Sequence, residues 1–202
     1  MATNSPDEKW STAEEAIMEA TYQTLLVNGY AGLSISRIAD EFGKSKAALY
    51  YHYDSKDDLL VAFLEFAVDR FESMISTETG ENPTEDLEHV IEKLLPPQPD
   101  EQQRQLQEVL VGLRSQAVTN EAFREQFTRI DERLATTLGK IIQRGIDEGM
   151  FRDVDSTRVA EHILATVNGA MYARATTDRH NAPAAARVSL SSYIDSELRP
   201  TT

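Results

Sequence analysis

The sequence predicts an all-α chain of about nine helices, with a three-helix N-terminal head followed by a longer helical body. Three observations predict it. Apolar residues recur every three or four positions through nearly every segment, as in Phe123, Phe127, Ile130, Leu134 and Leu138. Residues that cap helices open these segments, and Gly or Pro closes them. No stretch alternates apolar and polar residues convincingly enough to read as a strand.

In chain order, Met1–Trp10 reads as a frayed arm, with the lone Trp10 packing against the first helix. Ser11 or Thr12 begins that helix, each with a glutamate three places on (Glu14, Glu15) to complete a capping box. Ala13, Ile17, Ala20, Thr24 and Leu25 repeat at helical spacing until Asn28-Gly29 ends the run. Ser34 caps a second helix whose Ile35, Ile38, Ala39 and Phe42 share one face. Gly43 is the left-handed stop after it. Ser45 caps a third helix, and Ala48 and Leu49 lead its apolar side. Two helices joined this tightly, with Gly in the turn, make a helix-turn-helix. The third helix leaves Ser45, Lys46, Ala47, Tyr50, Tyr51 and His52 facing outward. Hydroxyls, an ammonium and an imidazole suit phosphate and base-edge contact, so the pair reads as a DNA-reading module. Half-buried ring packing is the alternative for the two tyrosines.

Ser55, with Asp58 three residues later, starts the next helix. Leu60, Phe63, Leu64, Ala67 and Phe71 line one face to about Ser76, and Leu59 and Phe66 widen the stripe. Thr77–Pro83 is a turn cluster. Thr84–Leu95 is a short amphipathic helix, stopped by Pro96-Pro97-Gln98-Pro99 because prolines remove donors and fix φ. Glu101–Val118 is helical, with Leu106, Val109, Leu110 and Leu113 inward. Asn120 caps a long helix reaching Gly149. The loop Gly149–Asp155 leads into Ser156–Thr177, which is apolar on more than one face. Pro183 lies near the start of the last helix, where Leu190, Tyr193, Ile194 and Leu198 point one way.

Over Asn28–Leu60 the chain resembles the TetR family of transcriptional regulators. The residues that carry the likeness are NGY, then S-x-x-x-I-A-x-x-x-G, then S-K-x-x-L-Y-Y-H-Y-x-S-K-x-x-L-L. The loop G-M-F-R-D-V-D resembles a connection found in bodies of that family. The resemblance implies a helix-turn-helix domain over residues 1–54 and a ligand-binding and dimerisation domain over 55–202. It implies that the third helix lies in the major groove, so that Ser45, Lys46, Ala47, Tyr50, Tyr51 and His52 face DNA and Lys56 meets a phosphate. Ser34 and Arg37 join the DNA-binding candidates, Arg37 either as a phosphate contact or as an ordinary surface charge. Lys44 and Ala48 depart from the family pattern, which has a valine-like and a small polar residue there.

The same resemblance implies a homodimer on a palindromic operator, since a twofold dimer matches a twofold site. Its seam is expected on the two C-terminal helices, at Val159, Ile163, Leu190, Tyr193 and Ile194. It also implies that a small apolar or amphipathic effector enters the body and releases a repressor from double-stranded DNA. Leu110, Leu113, Arg114, Phe127, His162, Asn168 and Met171 are the candidates to line that site, with ordinary core packing equally open to each. The rival reading is a helical ligand-binding or assembly protein whose helix-turn-helix no longer reads DNA.

Composition narrows the chemistry. The net charge is −14, unusual for a DNA binder, yet Arg37, Lys44, Lys46 and Lys56 outnumber Asp40, Glu41 and Asp54 within residues 34–56. Six lysines against fourteen arginines and 34 acids also suit a protein working in strong salt. There is no cysteine, so disulfides and thiolate chemistry are excluded. The four histidines are scattered, and Asp86-x-x-His89 is only half of a di-iron pattern, so no metal or other cofactor is expected. Without a phosphate loop or nucleophile elbow, no catalytic residue emerges and an enzyme is not expected. No apolar run reaches membrane length and MATNSPDEKW lacks a signal core, so a soluble cytoplasmic protein is expected.

Overall fold

The computed structural model describes residues 9–77 and 82–200. Among them are α1 (Thr12–Gly32), α2 (Ile35–Phe42), α3 (Lys46–His52), α4 (Lys56–Thr77), α5 (Pro83–Leu94), α6 (Glu101–Gln116), α7 (Glu121–Asp147), α8 (Ser156–Thr176) and α9 (Ala182–Tyr193). A single π-helical turn, Ile194–Leu198, follows α9. The described residues contain no strand, so the all-α expectation holds. Most of the expected N-terminal arm and of the turn over residues 77–83 lies outside the described residues.

The chain divides into two compact units, residues 1–69 and 70–202. The division between the two units lies within α4, beyond the domain boundary expected at residue 54. Tyr53-Asp54 is a turn in sequence, but burial continues past it: Leu59, Leu60, Phe63, Leu64 and Phe66 are all buried. Trp10 also packs differently from expectation, with its ring edge-on to Phe66 of α4 at 5.4 Å and its indole N–H donating to Asp69 at 3.0 Å.

In the N-terminal unit, α1 begins with the expected capping box. The Ser11 N–H donates to the Glu14 carboxylate at 2.8 Å and the Glu14 N–H to the Ser11 hydroxyl at 3.3 Å. Gly29 (φ 63, ψ 177) breaks the helical path of α1, so the chain turns where Asn28-Gly29 predicts. Ile17, Met18 and Leu25 of α1, Ile38 of α2 and Leu49 of α3 are fully buried.

In the C-terminal unit, Leu87, Ile91, Leu138, Ile142, Ile163, Val167 and Leu190 belong to one buried cluster drawn from α5, α7, α8 and α9. Polar ties bridge these helices. Arg144 of α7 pairs with the buried Asp86 of α5, and Arg133 of α7 pairs with Glu72 of α4. Four residues of the α7–α8 loop have a mechanical role. Gly149 takes a left-handed φ of 71°, the Phe151 ring is buried, and Asp155 accepts from the Thr157 and Arg158 N–H groups to cap α8. Arg152 donates to the carbonyls of Ser196 and Glu197, closing the C-terminal π turn.

The Phe151 ring lies on Gly145 of α7, where an added Cβ would sit 2.2 Å from the ring. Gly145→Ala is expected to destabilise the body by about 1–3 kcal/mol through overpacking. Urea unfolding should show the loss as a lower midpoint. Gly139, on the same helix with open space around it, is the control, because Ala there should not lower the midpoint.

Candidate nucleic-acid interface

The reading surface is built on a helix of seven residues. Isolated helices so short are unstable in water, so α3 depends on what it buries. Leu49 is its one fully buried side chain. The turn leading into it is set by Gly43, in the left-handed region at φ 70, whose N–H donates to the Ala39 and Asp40 carbonyls. The Tyr53 N–H closes the far end on the Leu49 carbonyl at 3.0 Å. With Leu49 turned inward and Ala48 half-buried, the other positions of α3 face solvent.

The structure brings six of the expected DNA-facing residues onto that one surface. Ser45, Lys46, Ala47, Tyr50, Tyr51 and His52 are all exposed, Tyr50 by 52% and Tyr51 by 86%. Tyr51 stands edge-on to His52 at 5.3 Å. So much exposed tyrosine on a helix without an apolar partner leaves little to the ring-packing alternative. Ser45 occupies the N-cap position, but its hydroxyl makes no capping bond, contrary to expectation. Lys44, which sequence comparison marked as a departure, is exposed immediately before Ser45 and adds an ammonium to the same edge.

The other three candidates lie beside this surface. The Ser34 hydroxyl accepts from the Arg37 N–H at 3.3 Å, so it caps α2 as expected. The Arg37 side chain, although exposed, donates to the Gly32 carbonyl at 2.5 Å. Lys56 opens α4 half-buried, with its ammonium 4.9 Å from the centre of the Tyr30 ring. Nothing in a single sequence links Lys56 to a residue 26 positions earlier, so Tyr30 escaped the sequence reading.

Beneath α3, Tyr53 buries its hydroxyl without a hydrogen-bond partner. Burial, then the nearby Glu14 carboxylate, pushes its pKa up to about 12. Glu14 is held below the ordinary carboxylate range, first by the Ser11 hydroxyl and then by the Ser11 N–H.

The candidate effector residues differ in burial. Leu113 and Phe127 are buried, and Leu110 and Met171 are half-buried. Arg114 is already satisfied: it makes a bidentate pair with Asp131 at 2.7 and 2.8 Å and lies 4.6 Å over the Phe127 ring. His162 is exposed and stacks on Tyr193 at 4.8 Å, while Asn168 is half-buried. A groove of about 320 Å³ opens instead between α5 and α9, lined by Glu88, Ile91, Arg187 and Val188 among others.

Four of the five expected seam residues lie inside the subunit. Val159, Ile163, Leu190 and Ile194 are between 0% and 1% exposed within a single subunit, so they belong to its own core and present nothing to a partner. Tyr193 is half-buried against the same core. The residues of α8 and α9 that do reach solvent include Arg158, Glu161, His162, Ala165, Gly169, Tyr172, Ala184, Ala185, Val188 and Ser192.

Among the described residues, no group of His, Asp and Glu side chains is arranged to hold a metal ion, and no helix is long and apolar enough to cross a membrane. A tight helical turn carrying an exposed polar and aromatic helix, followed by an all-helical body, defines a helix-turn-helix transcriptional regulator. Comparison with known proteins makes the family specific. Residues 17–63 match the bacterial regulatory proteins of the TetR family, and residues 83–199 match the C-terminal region of BetI-type transcriptional repressors. The chain belongs to the TetR family. A TetR transcription regulator from Haloarcula marismortui is 40% identical, with 94% of this chain and 100% of that one aligned and a TM-score of 0.85. A transcriptional regulator from Saccharomonospora viridis, crystallised in complex with choline, is 26% identical over 95% of this chain and 100% of that one, with a TM-score of 0.80. The nucleoid occlusion factor SlmA of Vibrio atlanticus is 28% identical over 80% of this chain and 83% of its own length.

The buried, unpartnered hydroxyl of Tyr53 gives a stability prediction. Tyr53→Phe is expected to stabilise the head by about 1 kcal/mol near neutral pH, because it removes an unsatisfied buried donor. The pH dependence follows from the raised pKa. Below pH 10 the phenol is neutral whether folded or unfolded; between 10 and about 12 only the unfolded chain ionises, so stability falls as pH rises. Thermal unfolding across that window should show a shallower alkaline loss in Tyr53→Phe than in the native protein.

Proposed function

We propose that this TetR-family regulator is a repressor that binds a palindromic operator as a homodimer and is released by a small-molecule ligand. The observation that carries the reading is α3 itself: one buried leucine holds a helix whose remaining surface offers two tyrosines, a lysine, a histidine and a serine hydroxyl to solvent. These groups donate to phosphates and base edges. The match of the body to BetI-type repressors supports repression as the sign of regulation.

Twofold pairing is supported by the outward faces of α8 and α9. Ala165, Gly169, Tyr172, Ala185, Val188 and Ser192 are exposed, uncharged and mostly small, with Arg158, Glu161 and His162 exposed nearer the start of α8. Such a face lets two backbones approach closely, and an isologous seam repeats it on both subunits. A soluble effector is supported by the Saccharomonospora relative, which holds choline. To release DNA, a ligand must bind more tightly to the conformer whose heads cannot span both half-sites.

Two predictions test this reading. Tyr51→Ala and Lys46→Ala should each weaken operator binding about tenfold without lowering the unfolding temperature, in line with about 1–3 kcal/mol for a good polar contact. For Lys46→Ala the slope of log affinity against log salt should also shrink by about one unit. Gel-shift titrations on an operator recovered by genomic-fragment selection provide both readings; selection that enriches no palindrome would favour a sensor that no longer reads DNA. Separately, Val188→Glu should convert the dimer to monomers in light scattering, whereas a dimer that persists would move the seam off α9.

A further inference from the structure

Lys56 differs from the other cations of the head in how it is held. Residues 9–69 contain only Lys9, Arg37, Lys44, Lys46 and Lys56 as bases, against twice as many aspartates and glutamates. A carboxylate that fixes a lysine here also cancels it: Lys9 is bound by Glu65 and Asp69, both at 2.7 Å. Arg37 is held by a backbone carbonyl. Lys56 instead lies over an aromatic face, 4.9 Å from the Tyr30 centroid. A ring quadrupole attracts an ammonium without neutralising it, so this contact gives Lys56 a defined place while leaving its full charge for a third group.

The local fold puts the ring there. Gly29 (φ 63) interrupts α1 one residue before Tyr30, and the Leu33 N–H returns to the Tyr30 carbonyl at 3.2 Å. Lys56 is the first residue of α4, whose start is fixed by Ser55: its hydroxyl donates to Asp58 at 2.7 Å and accepts from the Asp58 N–H at 3.1 Å. Ring and ammonium are thus each tied to a backbone feature that the sequence dictates.

We propose that Tyr30 is a positioning residue whose ring holds the Lys56 ammonium, undiminished in charge, for a backbone phosphate of bound duplex DNA. This inference rests on the DNA-reading function proposed above. It makes the hydroxyl of Tyr30 dispensable and the aromatic face essential. Its partner is the sugar-phosphate backbone, so the effect is the same for every operator sequence.

The test has one arm without DNA and one with it. In the free protein, the Lys56 side-chain protons nearest the ammonium should resonate upfield of those of Lys44 and Lys46, from the Tyr30 ring current, and should return to the ordinary position in Tyr30→Leu but not in Tyr30→Phe. With operator DNA, Lys56→Met should lower the salt slope by about 0.9. Tyr30→Leu should weaken binding about two- to fivefold, the worth of an exposed cation–π contact. In the Lys56→Met background Tyr30→Leu should cost nothing more, and Tyr30→Phe should bind as the native protein does. A merely structural tyrosine would lose the same factor in both backgrounds, and that additivity overturns the proposal. So does an unshifted Lys56 signal in the native protein, a reading that stands even if Tyr30→Leu fails to fold. If selection yields no palindrome, the DNA reading fails and the phosphate role with it. If a palindrome is found and the cycle is additive, only the role of Tyr30 fails.

Discussion

Everything the head presents depends on burying one leucine from a helix two turns long. Leu49 is fully buried in a segment too short to be helical alone, so its burial secures both the conformation and the direction of α3. The same shortness is what makes the surface available. A longer amphipathic helix turns about a third of its positions inward, whereas α3 gives up Leu49 and part of Ala48 and leaves its polar residues outside. Gly43 sets the angle of entry, since its left-handed φ lets the chain reverse within three residues.

Electrostatics constrain the head in the opposite direction. Its acids outnumber its bases, so long-range attraction to phosphate is weak and each cation must act at close range. The exposed Lys44 and Lys46 flank Ser45 at the start of α3. Acidic residues, by contrast, are spent on local structure: Glu14 in the capping box of α1, Asp58 in the cap of α4, Asp69 on the Trp10 indole and Lys9. These three carboxylates are therefore mechanical, holding helix ends and the residue-9 edge in place.

The sequence made the caps and the inward faces legible because both are local. Ser34 and Asn120 each accept from N–H groups two or three residues on, within the reach of a short motif. Ile38, Leu60, Phe123 and Leu138 are buried where periodicity placed them. What escaped is non-local. Arg114 looked like a polar group stranded among apolar ones until Asp131, seventeen residues away on the next helix, supplied its partner. Tyr30 and Lys56 meet across three helix boundaries. The apolar residues of α8 and α9 fit either a self-contained core or a seam between subunits, and burial puts Ile163 and Leu190 in the subunit's own core.

The solvent faces of α8 and α9 bear on how an acidic regulator could form the homodimer proposed above. With a net charge of −14 per chain, two copies repel one another at long range, and only contacts inside a Debye length of about 8–10 Å can offset it. Burying carboxylates in the seam would add desolvation to repulsion, each unpaired one costing several kcal/mol. A patch built around Ala165, Gly169, Tyr172, Ala185 and Val188 avoids both penalties, because small side chains and one aromatic ring exclude water at close approach without burying charge. Screening by salt weakens the repulsion and leaves such a contact untouched. In the proposed dimer, the acidic exterior and the small, uncharged side chains of α8 and α9 would thus divide the work: charge where the chain meets solvent, and close approach where charge is withheld.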